Sequence, residues 1–143
     1  MSNATTGKPY VLGLDLGTQS LRAALVDLQG RTVAFGVTPI ETTYPRPIWA
    51  EQRPEEWWSA AKTAVATALA QAGASPDQIA AIGLDCTACT VLACDLDGTP
   101  LRPALLWMDQ RSHREAEDIS ATNDPILRYV SGRVSPEWML PKA

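Results

Sequence analysis

The sequence is poor in sulfur, has one histidine and contains no long apolar run. Its three cysteines are an odd and small number for 143 residues. That argues against a disulfide framework and for reduced thiols in a reducing compartment. Cys86-Thr-Ala-Cys89 has C-x-x-C spacing, but a zinc site needs a second such pair and a redox pair sits at a helix start. Here extended chain flanks the pair on both sides, so the thiols read as loop or buried groups. His113, the only histidine, falls in a charged, exposed helix and is assigned no catalytic role. No stretch reaches membrane-spanning length, and residues 1–9 lack a signal peptide's apolar centre. A soluble, cytoplasmic protein is the default expectation, with no membrane partner. The net charge of −4 leaves no basic footprint for nucleic acid. Internal repeats and low-complexity tracts are also missing. The length predicts one domain, able to bury roughly 70% of its unfolded surface.

What is present is organised around Tyr10 to Asp27. Tyr10 to Leu14 reads as a buried strand, and Leu21 to Val26 as a second one. Between them lie Asp15, Gly17, Thr18, Gln19 and Ser20. Gly17 lets backbone amides approach an anion, because no Cβ stands in the way. Thr18, Gln19 and Ser20 add side-chain donors. Asp15 would repel a bare phosphate. A divalent cation resolves the conflict if the carboxylate holds Mg²⁺ or its water shell. An ordinary hairpin, with Asp and Gly as turn residues, accounts for the same stretch equally well.

The rest of the chain is read in order. Residues 1–9 are expected to form a disordered tail. After a turn at Asp27 to Gly30, Arg31 to Ile40 alternates as a third strand, completing an antiparallel meander. Glu41 to Arg53 is irregular, with Pro45 and Pro47 blocking regular structure. A helix starts at Pro54, carries Glu55 and Glu56 at its positive end and stops at Gly73. Trp58, Ala61, Val65, Ala68, Leu69 and Ala72 are expected to form its apolar stripe, and its alanines let it lie close to a sheet. Trp49, Trp57 and Trp58 read as core under a long loop. Ile79 to Asp85 is a strand covered on both faces, and Thr90 to Asp95 is another. Asp95 to Thr99 is a turn rather than a calcium loop, since the later acidic ligand is missing. Leu105 to Trp107 is extended. Helices are expected at Ser112 to Ser120, at Asp124 to Val130 and from Ser135 onward. The last is barely entered before Ala143, so the chain reads as a piece of something longer.

This order of strands and helices is that of the ribonuclease-H-like, or actin-like ATPase, α/β fold: an antiparallel three-stranded meander, a parallel strand and flanking helices. Here a resemblance becomes specific. Gly13-Leu-Asp15-Leu-Gly17-Thr18 resembles the first phosphate motif of that superfamily. Trp49-Ala-Glu51-Gln52-Arg53-Pro54-Glu55-Glu56-Trp57-Trp58 resembles the W-x-E-Q-x-P-x-x-W-W segment of the FGGY carbohydrate kinases. Gly83 to Thr90 stands where that family carries its first sugar-contacting loop. Leu106-Trp107-Met-Asp109-Gln-Arg111 resembles its L-W-x-D-x-R segment. Asp85-Cys-Thr87-Ala88-Cys89-Thr90 is closer to the ribulokinase-like pattern than to that of glycerol kinases or xylulokinases. Ser131 to Lys142 also resembles a ribulokinase-like segment.

The resemblance implies transfer of the γ-phosphoryl group of ATP to an alcohol group of a sugar or polyol, ribulose being favoured, with Mg²⁺ as cofactor. It implies that Asp15 holds the metal and that Gly17, Thr18, Gln19 and Ser20 line the phosphate. Asp85, Thr87, Ala88, Cys89 and Asp109 would border the sugar. Arg111 is expected to orient Asp109 rather than touch substrate, Trp107 to be wall or core, and Arg22 to reach phosphate or pair with an acid. Residues 10–143 would be an incomplete N-terminal kinase domain, without the second actin-like domain. The catalytic base of the family, an aspartate in Gly-x-Asp, would lie downstream of Ala143, leaving the chain inactive alone. A homodimer is the expected assembly of the full-length protein. The rival readings are a non-catalytic actin-like module that binds nucleotide or sugar, and a truncated remnant.

Overall fold

A computed structural model describes Gly7 and residues 9–143; the tail expected over residues 1–9 lies almost wholly outside them. The elements are β1 (Tyr10–Leu16), β2 (Ser20–Asp27), β3 (Thr32–Pro39), β4 (Glu51–Gln52), α1 (Pro54–Ala72), β5 (Ile79–Cys86), β6 (Ala104–Leu105) and α2 (His113–Ala121). They form two interleaved compact units. Residues 42–54 and 87–143 make the second unit; the remainder makes the first.

In the first unit the sheet order is β3-β2-β1-β5. The meander is antiparallel, and β5 returns parallel to β1. Apolar residues of one sheet face, Leu12, Leu21, Ala23, Leu25 and Ala34, pack with α1 into a single core. The turn at Asp27 closes on its own carboxylate, whose Oδ1 accepts from the amides of Gln29 and Arg31.

α1 runs as expected, and Ala61, Val65, Ala68, Leu69 and Ala72 of its expected stripe pack in or against the core, but the stripe is centred on smaller residues and leaves Trp58 out. Ala60, Ala64 and Ala68 face the core, while Trp58 is 70% exposed. Side-chain size decides this. The helix backbone lies so close to β3 that a Cβ on Gly36 would overlap the Ala64 carbonyl oxygen and sit 2.8 Å from its carbon. Only a line of alanines at i, i+4 spacing fits that approach. β5 also departs from expectation. It is an edge strand, and Ile82 and Leu84 are 65% and 71% exposed.

In the second unit β4 pairs with β6. Thr90 to Asp95 forms no strand; only isolated bridges join Val91 to Leu105 and Cys94 to Pro100. The Asp95 turn explains the break, because its carboxylate draws in the amides of Asp97 and Thr99 and tightens the reversal. α2 forms as expected. The segment after Asp124 is a 3-10 helix, Pro125–Val130, capped by Asp124. The helix expected from Ser135 is replaced by a turn and a 3-10 segment at Leu140–Lys142, because Pro141 supplies no amide to continue one. Among the described residues, no helix is long and apolar enough to cross a membrane.

Gly36→Ala should lower stability by about 2–3 kcal/mol, since the clash is with backbone that cannot rotate away. Urea denaturation followed by circular dichroism measures this, and a loss below about 0.5 kcal/mol would contradict the close packing of α1.

Candidate functional site

The predicted residues divide between the two units. In the first, β1 and β5 run parallel and in register, with Asp15 opposite Asp85. Residues paired in this way project from the same face of adjacent strands about 4.8 Å apart. Two carboxylates therefore stand side by side at the carboxyl ends of the parallel strands, the usual ligand-binding edge of an α/β sheet. Arg22, opposite Asp15 on β2, resolves the two roles expected for it in favour of the acid: its Nη1 lies 2.7 Å from Asp15 Oδ2. Both side chains are close to half exposed, so the pair contributes no more than about 1 kcal/mol and its partners can be exchanged at low cost. Asp85 Oδ1 accepts from the Cys86 amide.

The turn between β1 and β2 is pinned by the Gly17 amide, which donates to the Ser20 carbonyl at 3.1 Å. A Cβ on Gly17 would sit 3.3 Å from that oxygen and about 4 Å from both Arg22 Nη1 and Asp15 Oδ1. The space beside the ion pair is thus kept by the absence of a side chain. Gln19 is exposed and Thr18 half-buried, whereas Ser20 is buried.

In the second unit the two tryptophan-containing motifs meet. The Asp109 carboxylate is fully buried. It accepts from the amides of Ala50 at 2.8 Å and Arg111 at 3.0 Å, and from Arg111 Nε and Nη2 at 2.9 and 2.7 Å. Arg111 Nη2 also reaches Glu51 Oε1 at 2.7 Å, and its guanidinium lies 3.7 Å over the Trp49 ring. Arg46 lies over the same ring at 4.8 Å. Trp49 is therefore a stacking partner for arginine rather than ordinary core. The preceding residue, Ile48, adopts a left-handed backbone (φ 62°), and its carbonyl is held by the Gln110 amide. Burial pushes the Asp109 pKa up, but the bonds from Arg111 and the Ala50 amide outweigh it and hold the carboxyl below its usual range. Burial likewise disfavours the charged Arg111, and its bonds to Asp109 and Glu51 more than offset this. Arg111 thus orients Asp109 as expected. Asp109 itself, expected to border the sugar, has its carboxylate closed to solvent and its oxygens occupied by the protein.

A cleft of about 430 Å³ lies elsewhere in this unit, lined by Thr87, Ala88, Cys89, Trp107, Glu137 and Trp138. Thr87 Oγ1 and Thr90 Oγ1 are 3.3 Å apart. Cys89 takes a left-handed backbone (φ 60°), and Trp107 is wall, as expected. Glu137 and Trp138 were not expected here. Only a pairing of distant segments places them beside Cys89, and no local motif signals it. A larger cavity of about 580 Å³, with His113, Glu117 and Arg133 in its lining, contains none of the predicted residues. Among the described residues, no cluster of three or more His, Cys, Asp or Glu is arranged to hold a metal ion.

Residues 10–134 match the N-terminal domain of the FGGY family of carbohydrate kinases. The chain belongs to that family. It is 36% identical to a ribulokinase of Geobacillus thermodenitrificans over 95% of its length, covering 29% of that protein. It is 38% identical to a glycerol kinase of Thermococcus gammatolerans over 87% of its length, covering 25% of that protein. Among solved structures, a xyloylose kinase from Brucella ovis superposes with a TM-score of 0.85 at 35% identity, over 93% of this chain and 28% of that one. The FGGY chain therefore spans between a quarter and a third of the length of these relatives. Its mixed sheet and helices are those of the actin-like ATPase fold seen in the FGGY kinases.

Asp109→Asn should destabilise the protein by about 3 kcal/mol, since it leaves Arg111 only partly paired. The Asp109 pKa is depressed on folding, so the stability it contributes is present in full above about pH 4 and is lost as pH falls further. Thermal unfolding between pH 2 and 7 should show that acid-side loss in the native protein and a smaller one in the variant. Identical acid profiles would refute the role given to Asp109.

Proposed function

We propose that this chain supplies one part of the active site of a kinase that transfers the γ-phosphoryl group of ATP to a hydroxyl of an open-chain sugar or polyol. A pentulose of the ribulose type is the favoured acceptor. The observation that carries the reading is the side-by-side placement of Asp15 and Asp85 at the carboxyl ends of β1 and β5, in a chain of the FGGY family.

The residues fit the implied groups. Asp15 is accessible, its carboxylate meets the half-exposed Arg22, and Gly17 leaves the adjacent space open. Asp15 would hold Mg²⁺ or orient its waters, and the Gly17, Thr18, Gln19 and Ser20 turn would contact phosphate, Ser20 by its backbone. When bound, ATP and Mg²⁺ supply the phosphoryl group and neutralise its charge. In the second unit Thr87, Ala88 and Cys89 would border the acceptor, joined by Trp107, Glu137 and Trp138; Asp85, in the first unit, keeps the sugar-bordering role that the family resemblance implies. Indole faces suit the C–H surface of a polyol, and the Thr87 hydroxyl and Glu137 carboxylate suit its hydroxyls. Asp109 is better assigned to positioning Trp49, Ala50 and Arg111 than to contacting sugar. We assign residues 10–143 to part of an N-terminal kinase domain, and the general base to an aspartate outside it.

Two results test the proposal. Ribulose should show saturation transfer from the protein in NMR, and Trp138→Ala should weaken its binding on the order of tenfold, or about 1.4 kcal/mol. A coupled ADP-release assay with ATP, Mg²⁺ and ribulose, xylulose or glycerol should give no turnover by the chain alone. Absence of binding by all three acceptors would sink the sugar-site reading, and robust turnover would sink the placement of the base.

A further inference from the structure

Lys142 has an unusual set of partners. Its Nζ lies 2.7 Å from the Glu137 carbonyl oxygen, 2.8 Å from those of Leu106 and Trp107, and 3.3 Å from that of Cys89. An ammonium has three hydrogens, so two of these four acceptors share one. Burial disfavours its charge, while Asp109, Cys89 and Glu137 favour it; the net pKa is lowered. Charge-assisted bonds to carbonyls replace the water that the ammonium has lost.

The acceptors come from three segments far apart in sequence: the loop at Cys89, the stretch after β6, and the turn at Glu137. The same three segments contribute every residue that lines the 430 Å³ cleft. Of the cleft-lining residues Cys89 is the one held in the left-handed region, a conformation that costs a non-glycine residue about 1 kcal/mol or more and persists only where its surroundings enforce it. The bond from Lys142 falls on the carbonyl of that residue.

We infer that Lys142 is a positioning residue of the acceptor cleft: its ammonium gathers the carbonyls of Cys89, Leu106, Trp107 and Glu137 and so sets the spacing between the cleft walls. It touches no substrate. The inference rests on the reading of this cleft as the sugar subsite, and the test keeps the two apart.

The test uses the 143-residue chain labelled with ¹³C and ¹⁵N. Scalar couplings across hydrogen bonds should connect Lys142 Nζ to the carbonyl carbons of Leu106, Trp107 and Glu137. Absence of all of them overturns the inference without recourse to any variant. Lys142→Met preserves length and volume but donates nothing. It should shift those carbonyl resonances and that of Cys89 upfield, leave Gly13 and Ala24 in β1 and β2 unmoved, and weaken ribulose binding at least tenfold. A folded Met variant that binds within twofold of the native chain overturns the inference. Lys142→Arg keeps charge and donors and should recover part of the lost affinity. Should the Met variant not fold, the Arg variant decides: displaced carbonyls with unchanged ribulose affinity overturn the inference. If the native chain shows the couplings yet binds no sugar, the sugar reading fails and the carbonyl shifts alone decide the clamp.

Discussion

The second unit depends on one half-buried cation. Arg111 spends its donors on Asp109 and Glu51 and its flat face on Trp49. A guanidinium suits this role because its planar fork meets a carboxylate and an aromatic ring at once, where an ammonium would meet only one. Through Asp109 the same network reaches the Ala50 amide, and the Ala50 carbonyl accepts from Leu106. Two stretches separated by some fifty residues of chain are thereby locked in register, and β4 and β6, only two residues each, need no longer pairing to persist.

This recasts what the family's tryptophan-rich motifs do in this chain. Trp49-x-Glu51 and Asp109-x-Arg111 read as separate signatures in the sequence, and in the fold they are the two halves of one clamp. Residues recurring in a kinase motif need not face its substrates. Asp109, proposed above as a positioning group, illustrates the point: both of its oxygens are engaged by its own protein.

Strand order, the parallel return of β5 and the long helix were legible in the sequence, because periodicity and turn chemistry are local signals. The centre of the α1 stripe was not. Hydrophobicity favoured Trp58, but the distance of closest approach is set by Gly36 on another strand, and that selects alanine. The coverage of β5 was misjudged for a related reason: an apolar run shows what a strand can bury, not what lies beside it. Candidate site residues could be nominated from the sequence where they are contiguous, at Asp15 to Ser20 and Thr87 to Cys89. Glu137 and Trp138 were missed because chain folding, not sequence spacing, brings them to Cys89.

The outer edge of β5 carries a practical consequence. A strand whose backbone donors and acceptors on one side lack partners, and whose side chains include Ile82 and Leu84 in solvent, is a template for another copy of itself. Handling this polypeptide in solution therefore calls for a lysine or proline introduced on that rim, or for low concentration, before any weak ligand titration is attempted.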